Sequence, residues 1–347
     1  MGKLKNRVKE ILKPFPRKYA KTILHNQLLT VVDAGAANGL IPHWQMIDGF
    51  ATVFGFEPHP EACKNLQAKY NQSEYAQLYK AIPTGLSKQG GTATLYVLNQ
   101  PTGSSLLPVD MDSPEVHKDD PYIFPITEIS ISTESLEAAL KKEQATTVDM
   151  IKLDIQGAEL DVLMGMGKDY LDNLVCAEME VGFKSIYKGA PRPPDAEAAM
   201  KDYDFELFDL NLEHTPAKYK GDAGYYLKNV LGVRPEKNRV NGLLVECDML
   251  FFKKPEKVLQ RGDAALTRRY ITTLCVYNFF THALDMAEQA TRRSIFSIAE
   301  QEEINSAIKK WAAIYRRFSN RVFLQGVYDA WGKITKHFRH GKWGKNQ

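Results

Sequence analysis

Four short apolar runs, LLTVVDAG from Leu28, ATVFGFEPH from Ala51, VDMIKLDI from Val148 and NLVCAEMEV from Asn173, each break off at an acid or a glycine turn. Runs of this length and β-branched content, without alternation of apolar and polar residues, read as strands buried on both faces. The stretches between them are amphipathic and long enough for crossover helices, so the chain is expected to fold as an α/β doubly wound sheet. Helices are expected to begin near Leu40, Pro60, Gly157 and Pro194, and a third strand to fall around Ala76 to Ile82. GGTATLYVL is expected as an added β element, with FELFDL and LLVECDMLFF closing the sheet as a hairpin. In open sheets of this kind ligands bind at the carboxyl ends of the strands. Asp33, Glu57, Asp154 and Glu180 each stand at such an end.

A chain of 347 residues divided by a domain size of roughly 150 suggests about two folded units. Apolar residues at 44% and charged residues at 25% exclude a collagenous, disulfide-stapled or wholly disordered chain. Apolar stretches such as Val245 to Phe252 carry charges or stop well short of the roughly 18 residues a membrane span requires. Four scattered cysteines form no CxxC pair, which points to a reducing cytoplasm. The amino-terminal segment is basic without a continuous apolar core, and Asn6 stands where a myristoylation motif wants Ser or Thr, so no cleaved or lipidated segment is expected.

Proline is absent after Pro255, and Ile304, Ile308, Trp311, Tyr315, Phe318 and Val322 recur at helical spacing. The chain is therefore expected to divide into a basic helical segment at 1–27, an α/β domain at 28–254 and a basic all-helical extension at 255–347. Residues 1–25 hold 8 Lys and Arg against 1 acid, residues 26–254 hold 21 against 33, and residues 255–347 hold 16 against 8. An acidic middle between basic ends is a pattern of chains whose ends meet an anionic surface. The long polar segments 99–125 and 214–241 are expected to cover a ligand site.

The first run continues as Asp33-Ala34-Gly35-Ala36-Ala37-Asn38-Gly39. Small residues let the backbone approach a ligand, but a dinucleotide loop wants a glycine at the position of Ala37 to admit a pyrophosphate. A carboxylate at Asp33 would repel that pyrophosphate and suits the cationic amino end of S-adenosylmethionine. Glu57, about 20 residues on, ends the second strand where an acid accepts hydrogen bonds from ribose hydroxyls.

VVDAGAANG, FEPHP, IKLDIQGAELDVLMG and the pair AEMEVGF with CDMLFF resemble the FkbM-type methyltransferases, and the likeness spans roughly residues 28 to 254. IKLDIQGAE is its most specific segment, and Ser104-Ser105-Leu106 matches a further family element. The resemblance implies a class I methyltransferase fold, S-adenosylmethionine as cofactor and transfer of a methyl group to oxygen. It carries the methionine end of the cofactor onto Asp33, Gly35, Ala36, Asn38 and Gly39, and the ribose onto Glu57 with Pro58 and His59 beside it. Ser105 joins the cofactor set. Pro83 and Thr84 depart from the more polar turn usual after the third strand, and residues 255–347 lie outside the likeness.

Methyl transfer to a hydroxyl requires alignment and a group to take one proton. Asp154 is the first candidate, Glu159 at the next helix start the second and Glu180 the third; His43 and His214 are lesser ones. Asp154, Glu180 and Asp248 form an oxygen-rich set suited to a divalent cation, but no local carboxylate pair marks one and no metal is expected. The leading expectation is an O-methyltransferase acting on a hydroxyl of a sugar, glycan or secondary metabolite, with Tyr187, Tyr219, Tyr225 and Tyr226 available to pack on sugar rings. The alternative is a membrane-surface or scaffold protein retaining the fold. In it Arg268, Arg269, Arg292, Arg293, Arg316, Arg317 and the terminal basic segment bind anionic lipid at the inner membrane surface. No NPPY-like tetrapeptide follows Asp154, which argues against N-methylation of DNA, and a nucleic-acid partner is not expected. The helical extension is expected to cover the α/β domain or pair with a second copy.

Overall fold

A computed structural model describes residues 14–41, 44–113, 124–184, 186–215 and 243–315. Ten strands occur among them: β1 (Leu29–Ala34), β2 (Ala51–Phe56), β3 (Tyr79–Ile82), β4 (Gly85–Leu86), β5 (Gly90–Leu98), β6 (Pro125–Glu134), β7 (Met150–Leu153), β8 (Cys176–Gly182), β9 (Phe205–Thr215) and β10 (Leu243–Lys253). Seven form one sheet in the order β3-β2-β1-β7-β8-β10-β9, in which β10 alone runs against its neighbours. This is the Rossmann-like sheet of class I methyltransferases, closed by the hairpin expected from FELFDL and LLVECDMLFF. The expected GGTATLYVL element is β5, which belongs to a separate three-stranded sheet with β4 and β6.

Helices cover both faces of the main sheet. On one side α1 (Pro14–Ile23) and α2 (Pro60–Tyr70) pack with α7 (Pro255–Gln260), α8 (Ala264–Val276), α9 (Phe280–Arg292) and a helix described over 298–315. On the other lie α3 (Leu136–Lys142), α4 (Glu159–Met164), α5 (Lys168–Asn173) and α6 (Pro193–Asp202). The stripe residues Ile304, Ile308 and Trp311 are buried in the same core as Val31 and Met150 of the sheet. The described part of the extension thus turns its apolar stripe onto its own chain; Phe318 and Val322 fall outside the described residues.

Strand period explains the gradient across that covered face, since alternate residues share a side. Val31, Met150 and Cys176 form an apolar row; two residues further, Asp33, Lys152 and Glu178 stand in register on β1, β7 and β8. Beyond them come Asp154 and the facing pair Glu180 and Asp248. Polarity rises towards the carboxyl ends of the strands, where a site belongs.

The helices expected at Pro60, Gly157 and Pro194 form, but the one expected near Leu40 does not. Residues 36–41 are irregular and lead to a single 3-10 turn, Trp44–Ile47. Pro42 biases Ile41, the residue before it, away from helical backbone, which disfavours a helix running through this stretch.

Candidate active site

At the carboxyl ends of β1, β2 and β7, where the strand order reverses direction, lies a cleft of about 450 Å³. Gly35 and Asn38 form part of one wall with Glu57, Pro58 and His59; Leu86, Leu95, Val97 and Ile131 give an apolar wall from the small sheet; Asp154 and Gln156 face the cleft from the end of β7. Volume and lining suit a ligand of cofactor size with one apolar part and a few fixed polar groups.

Each polar group is held by local sequence. Gly35 has φ +81°, and a β-carbon there would lie 1.9 Å from the Asp154 carbonyl oxygen, so two strand ends approach as closely as only glycine permits. Glu57 is nearly buried, and its Oε1 accepts a hydrogen bond from the His59 backbone N–H at 2.8 Å. Burial raises the Glu57 carboxyl above its usual range against that bond. His59 is the N-cap of α2, its Nδ1 accepting from the Ala62 N–H, and Pro60 starts the helix.

The turn after β7 is held by a dense set of hydrogen bonds. Gln156 and Gly157 both adopt positive φ, +62° and +106°. The buried Glu159 carboxylate clasps them, accepting from the Ile155 and Gly157 N–H groups at 3.0 Å. Burial, opposed by these bonds, lifts Glu159 to about 7. The Asp154 carboxylate accepts from Lys152 Nζ at 2.9 Å and from Gln156 Nε2 at 3.1 Å. Gln156 Nε2 also donates to Glu180 Oε1 at 3.0 Å, and the Tyr187 hydroxyl lies 3.0 Å from Gln156 Oε1 and 2.6 Å from the Gly103 carbonyl. Burial, then Asp154, Glu246, Glu159 and Asp248, push Glu180 up to about 9.

Asp33 is buried and does not line the cleft. Its carboxylate lies 3.8 Å from Lys152 Nζ, neither oxygen accepts a hydrogen bond, and burial, partly offset by Lys152, raises it to about 6. Burial pulls Lys152 down, but Asp154 and Asp33 outweigh it and raise the amine above its ordinary value.

The model of the methyltransferase FkbM domain matches residues 33–207, half of the chain. The chain belongs to the FkbM methyltransferase family. A curated relative, methyltransferase sdnD of Sordaria araneosa, is 25% identical over 207 residues, 54% of this chain and 78% of its own length. A crystal structure of methyltransferase FkbM from Methylobacillus flagellatus KT is 15% identical with a TM-score of 0.35. It covers 65% of this chain, and the chain spans only 43% of that protein. A SAM-dependent methyltransferase from Aquifex aeolicus gives 12% identity and a TM-score of 0.28, covering 71% of this chain and 97% of its own.

S-adenosylmethionine is the cofactor of this FkbM-family chain, and the cleft fits it. Gly35 and Asn38 line the cleft at the end of β1, Glu57 offers a carboxylate at the end of β2, and the small sheet gives an apolar wall suited to a flat ring. Of the residues expected at the cofactor, Gly35, Asn38, Glu57, Pro58, His59 and Ser105 line the cleft; Asp33, Ala36 and Gly39 do not. Ser105 Oγ donates to the Gln156 carbonyl at 2.6 Å, tying the serine loop to the β7 turn. Asp154 faces the cleft, Glu180 reaches it through Gln156, and Glu159 is enclosed beneath the turn.

Several expectations change. Tyr187 is 8% exposed with its hydroxyl bonded inward, so it is a packing residue and no free platform for a sugar ring. Arg268 lies inside the fold, bonded to the Ile23 carbonyl and Glu300, and Arg269 is paired with the buried Asp149 at 2.7 Å. Neither can meet a lipid surface. His43, Tyr219, Tyr225, Tyr226, Arg316 and Arg317 fall outside the described residues, as does the His214 side chain. Among the described residues no set of three His, Cys, Asp or Glu side chains is arranged to hold a metal, and no helix is long and apolar enough to cross a membrane. Sequence reasoning missed Lys152 and Gln156. Lys152 was within reach, since two residues before Asp154 on a strand means the same face.

The carboxyl shifts have a pH consequence. Glu180 rises from its ordinary 4.5 to about 9, so between those values the folded chain holds a proton that the unfolded chain has lost. That contribution to stability is complete below 4.5 and is lost as pH climbs towards 9. Glu180→Gln removes the penalty. Its thermal midpoint is expected to exceed wild type by several degrees near pH 8.5 and to converge on it near pH 4.5; parallel curves in a melting series would contradict the assignment.

Proposed function

We propose that this FkbM-family methyltransferase is directed to oxygen, methylating a hydroxyl of a sugar, glycan or secondary metabolite, with Asp154 taking the proton. The observation that carries the reading is the Asp154 carboxylate, which lines the cleft and is oriented by Lys152 on one oxygen and Gln156 on the other. The other two acids are less suited. Glu159 is committed to the backbone of the turn, and Glu180, lifted to about 9, holds its proton at neutral pH and cannot accept another.

S-adenosylmethionine supplies an electrophilic methyl carbon on a sulfonium. The Asp154 carboxylate would take the proton of an acceptor hydroxyl held beside it when that oxygen is methylated. A partial negative charge on the hydroxyl makes it the better nucleophile, which is what a positioned carboxylate provides. Lys152, buried beneath Asp154, keeps that carboxylate in place. Glu57 stands where the ribose hydroxyls are expected and Gly35 where the methionine part is. Asp33, Ala36 and Gly39 do not line the cleft, and Asn38, Pro58, His59 and Ser105 shape its walls. The four cysteines are buried free thiols, which suits a cytoplasmic enzyme.

The test is transfer of a labelled methyl group from S-adenosylmethionine into fractionated polar extracts, followed by determination of the bond formed. An ether at a hydroxyl carbon is expected; label found on nitrogen or carbon would overturn the oxygen assignment.

A further inference from the structure

The FkbM domain match ends at residue 207, yet a residue well beyond it reaches the row of charges below the cleft. Tyr277, which ends α8, donates its hydroxyl proton to Glu178 Oε2 at 2.7 Å and accepts from the Trp44 indole N–H at 2.8 Å. An indole nitrogen only donates and a carboxylate only accepts, so a hydroxyl between them satisfies both with a single oxygen. Trp44 opens the 3-10 turn that closes the loop after β1, and its own N–H bonds back to the Ile41 carbonyl at 3.0 Å. That loop carries Ala37 and Asn38, which line the cleft. Glu178 stands in register with Lys152 and Asp33.

The packing reinforces this link. Phe50 meets Trp311 edge-on at 6.1 Å, so the segment 44–50 is held between the sheet and the carboxyl-terminal helices. Burial, with Cys176 and Glu178 beside it, holds the Tyr277 phenol well above its ordinary range and keeps it a donor.

We propose that Tyr277 is a positioning residue for the cofactor: through Trp44 and Glu178, the helical extension fixes the loop after β1 and the charge row beneath it in the arrangement that binds S-adenosylmethionine. The extension is then part of the cofactor site, acting from outside the region that the family shares.

The test is calorimetric titration of S-adenosylmethionine into the full chain, with wild-type binding measured first so that failure of the cofactor assignment and failure of this proposal are distinguishable. Tyr277→Phe is expected to weaken binding about tenfold, within the usual range of coupling between sites. Tyr270→Phe is the control, since it removes another buried hydroxyl of the same helical region, one bonded to the Lys253 carbonyl. It is expected to lower the melting temperature comparably and to leave affinity unchanged. Equal weakening by both variants, or none by Tyr277→Phe, would overturn the proposal. Should Tyr277→Phe fail to fold, Trp44→Phe removes the indole donor together with part of a buried ring and is expected to weaken binding at least as much; wild-type affinity in that variant would overturn it too.

Discussion

Gly35→Ala is expected to weaken binding of S-adenosylmethionine about a hundredfold while leaving the sheet intact. The φ of +81° alone costs a non-glycine residue about 1–3 kcal/mol. The added methyl also falls 1.9 Å from the Asp154 carbonyl oxygen, and the Asp154 N–H is itself bonded to the Ala34 carbonyl at 3.1 Å, so the two strand ends cannot separate independently. Relief must come from the loop that lines the cleft. Binding must then force the displaced loop back into place, and a reorganisation cost of about 3 kcal/mol lowers affinity about a hundredfold. Titration calorimetry measures the loss, and circular dichroism checks that the fold survives; wild-type affinity in this variant would show that the cofactor does not lie against Gly35.

Asp154→Asn is expected to lower methyl transfer by about 10²- to 10⁴-fold, the usual contribution of a positioned base, and to leave cofactor affinity within a few-fold of wild type. The amide keeps the size of the carboxylate and can still accept from Gln156, but it cannot take a proton and it meets the Lys152 amine without opposing charge. The labelled-methyl assay gives the rate and calorimetry the affinity. Transfer at the wild-type rate would remove Asp154 from the chemistry. Equal loss of rate and affinity would make it a cofactor ligand instead.

Local pattern made much of the fold readable. The strand runs ending at Asp33, Glu57, Asp154 and Glu180 identified the sheet, its direction and the edge where the cleft lies, because burial on both faces leaves an unbroken apolar signature. The helix expected near Leu40 gives way to irregular chain and a 3-10 turn, with Pro42 biasing the residue before it away from helix. At the site, residues on strands or beside glycines were legible, whereas the clasp made by Glu159 and the bridge made by Gln156 depend on positive φ at non-glycine and glycine residues in succession, which spacing does not disclose. Arg268 and Arg269 illustrate the opposite error. A pair of arginines on a helix reads as a basic surface until Glu300 and Asp149 are seen to meet them inside the fold. Tyr277 was beyond reach, since its partners Trp44 and Glu178 lie far away in the chain and only the folded arrangement brings them together.

The central claim is that two acids ending strands of the sheet, Glu57 on β2 and Asp154 on β7, face the donor of the methyl group across the cleft. Its most direct measurement is a crystal structure of the full chain with S-adenosylmethionine bound. The account predicts the ribose hydroxyls on the Glu57 carboxylate, the methionine part against Gly35, and the methyl carbon turned towards Asp154. A cofactor seated elsewhere, or a methyl carbon facing away from Asp154, would contradict it.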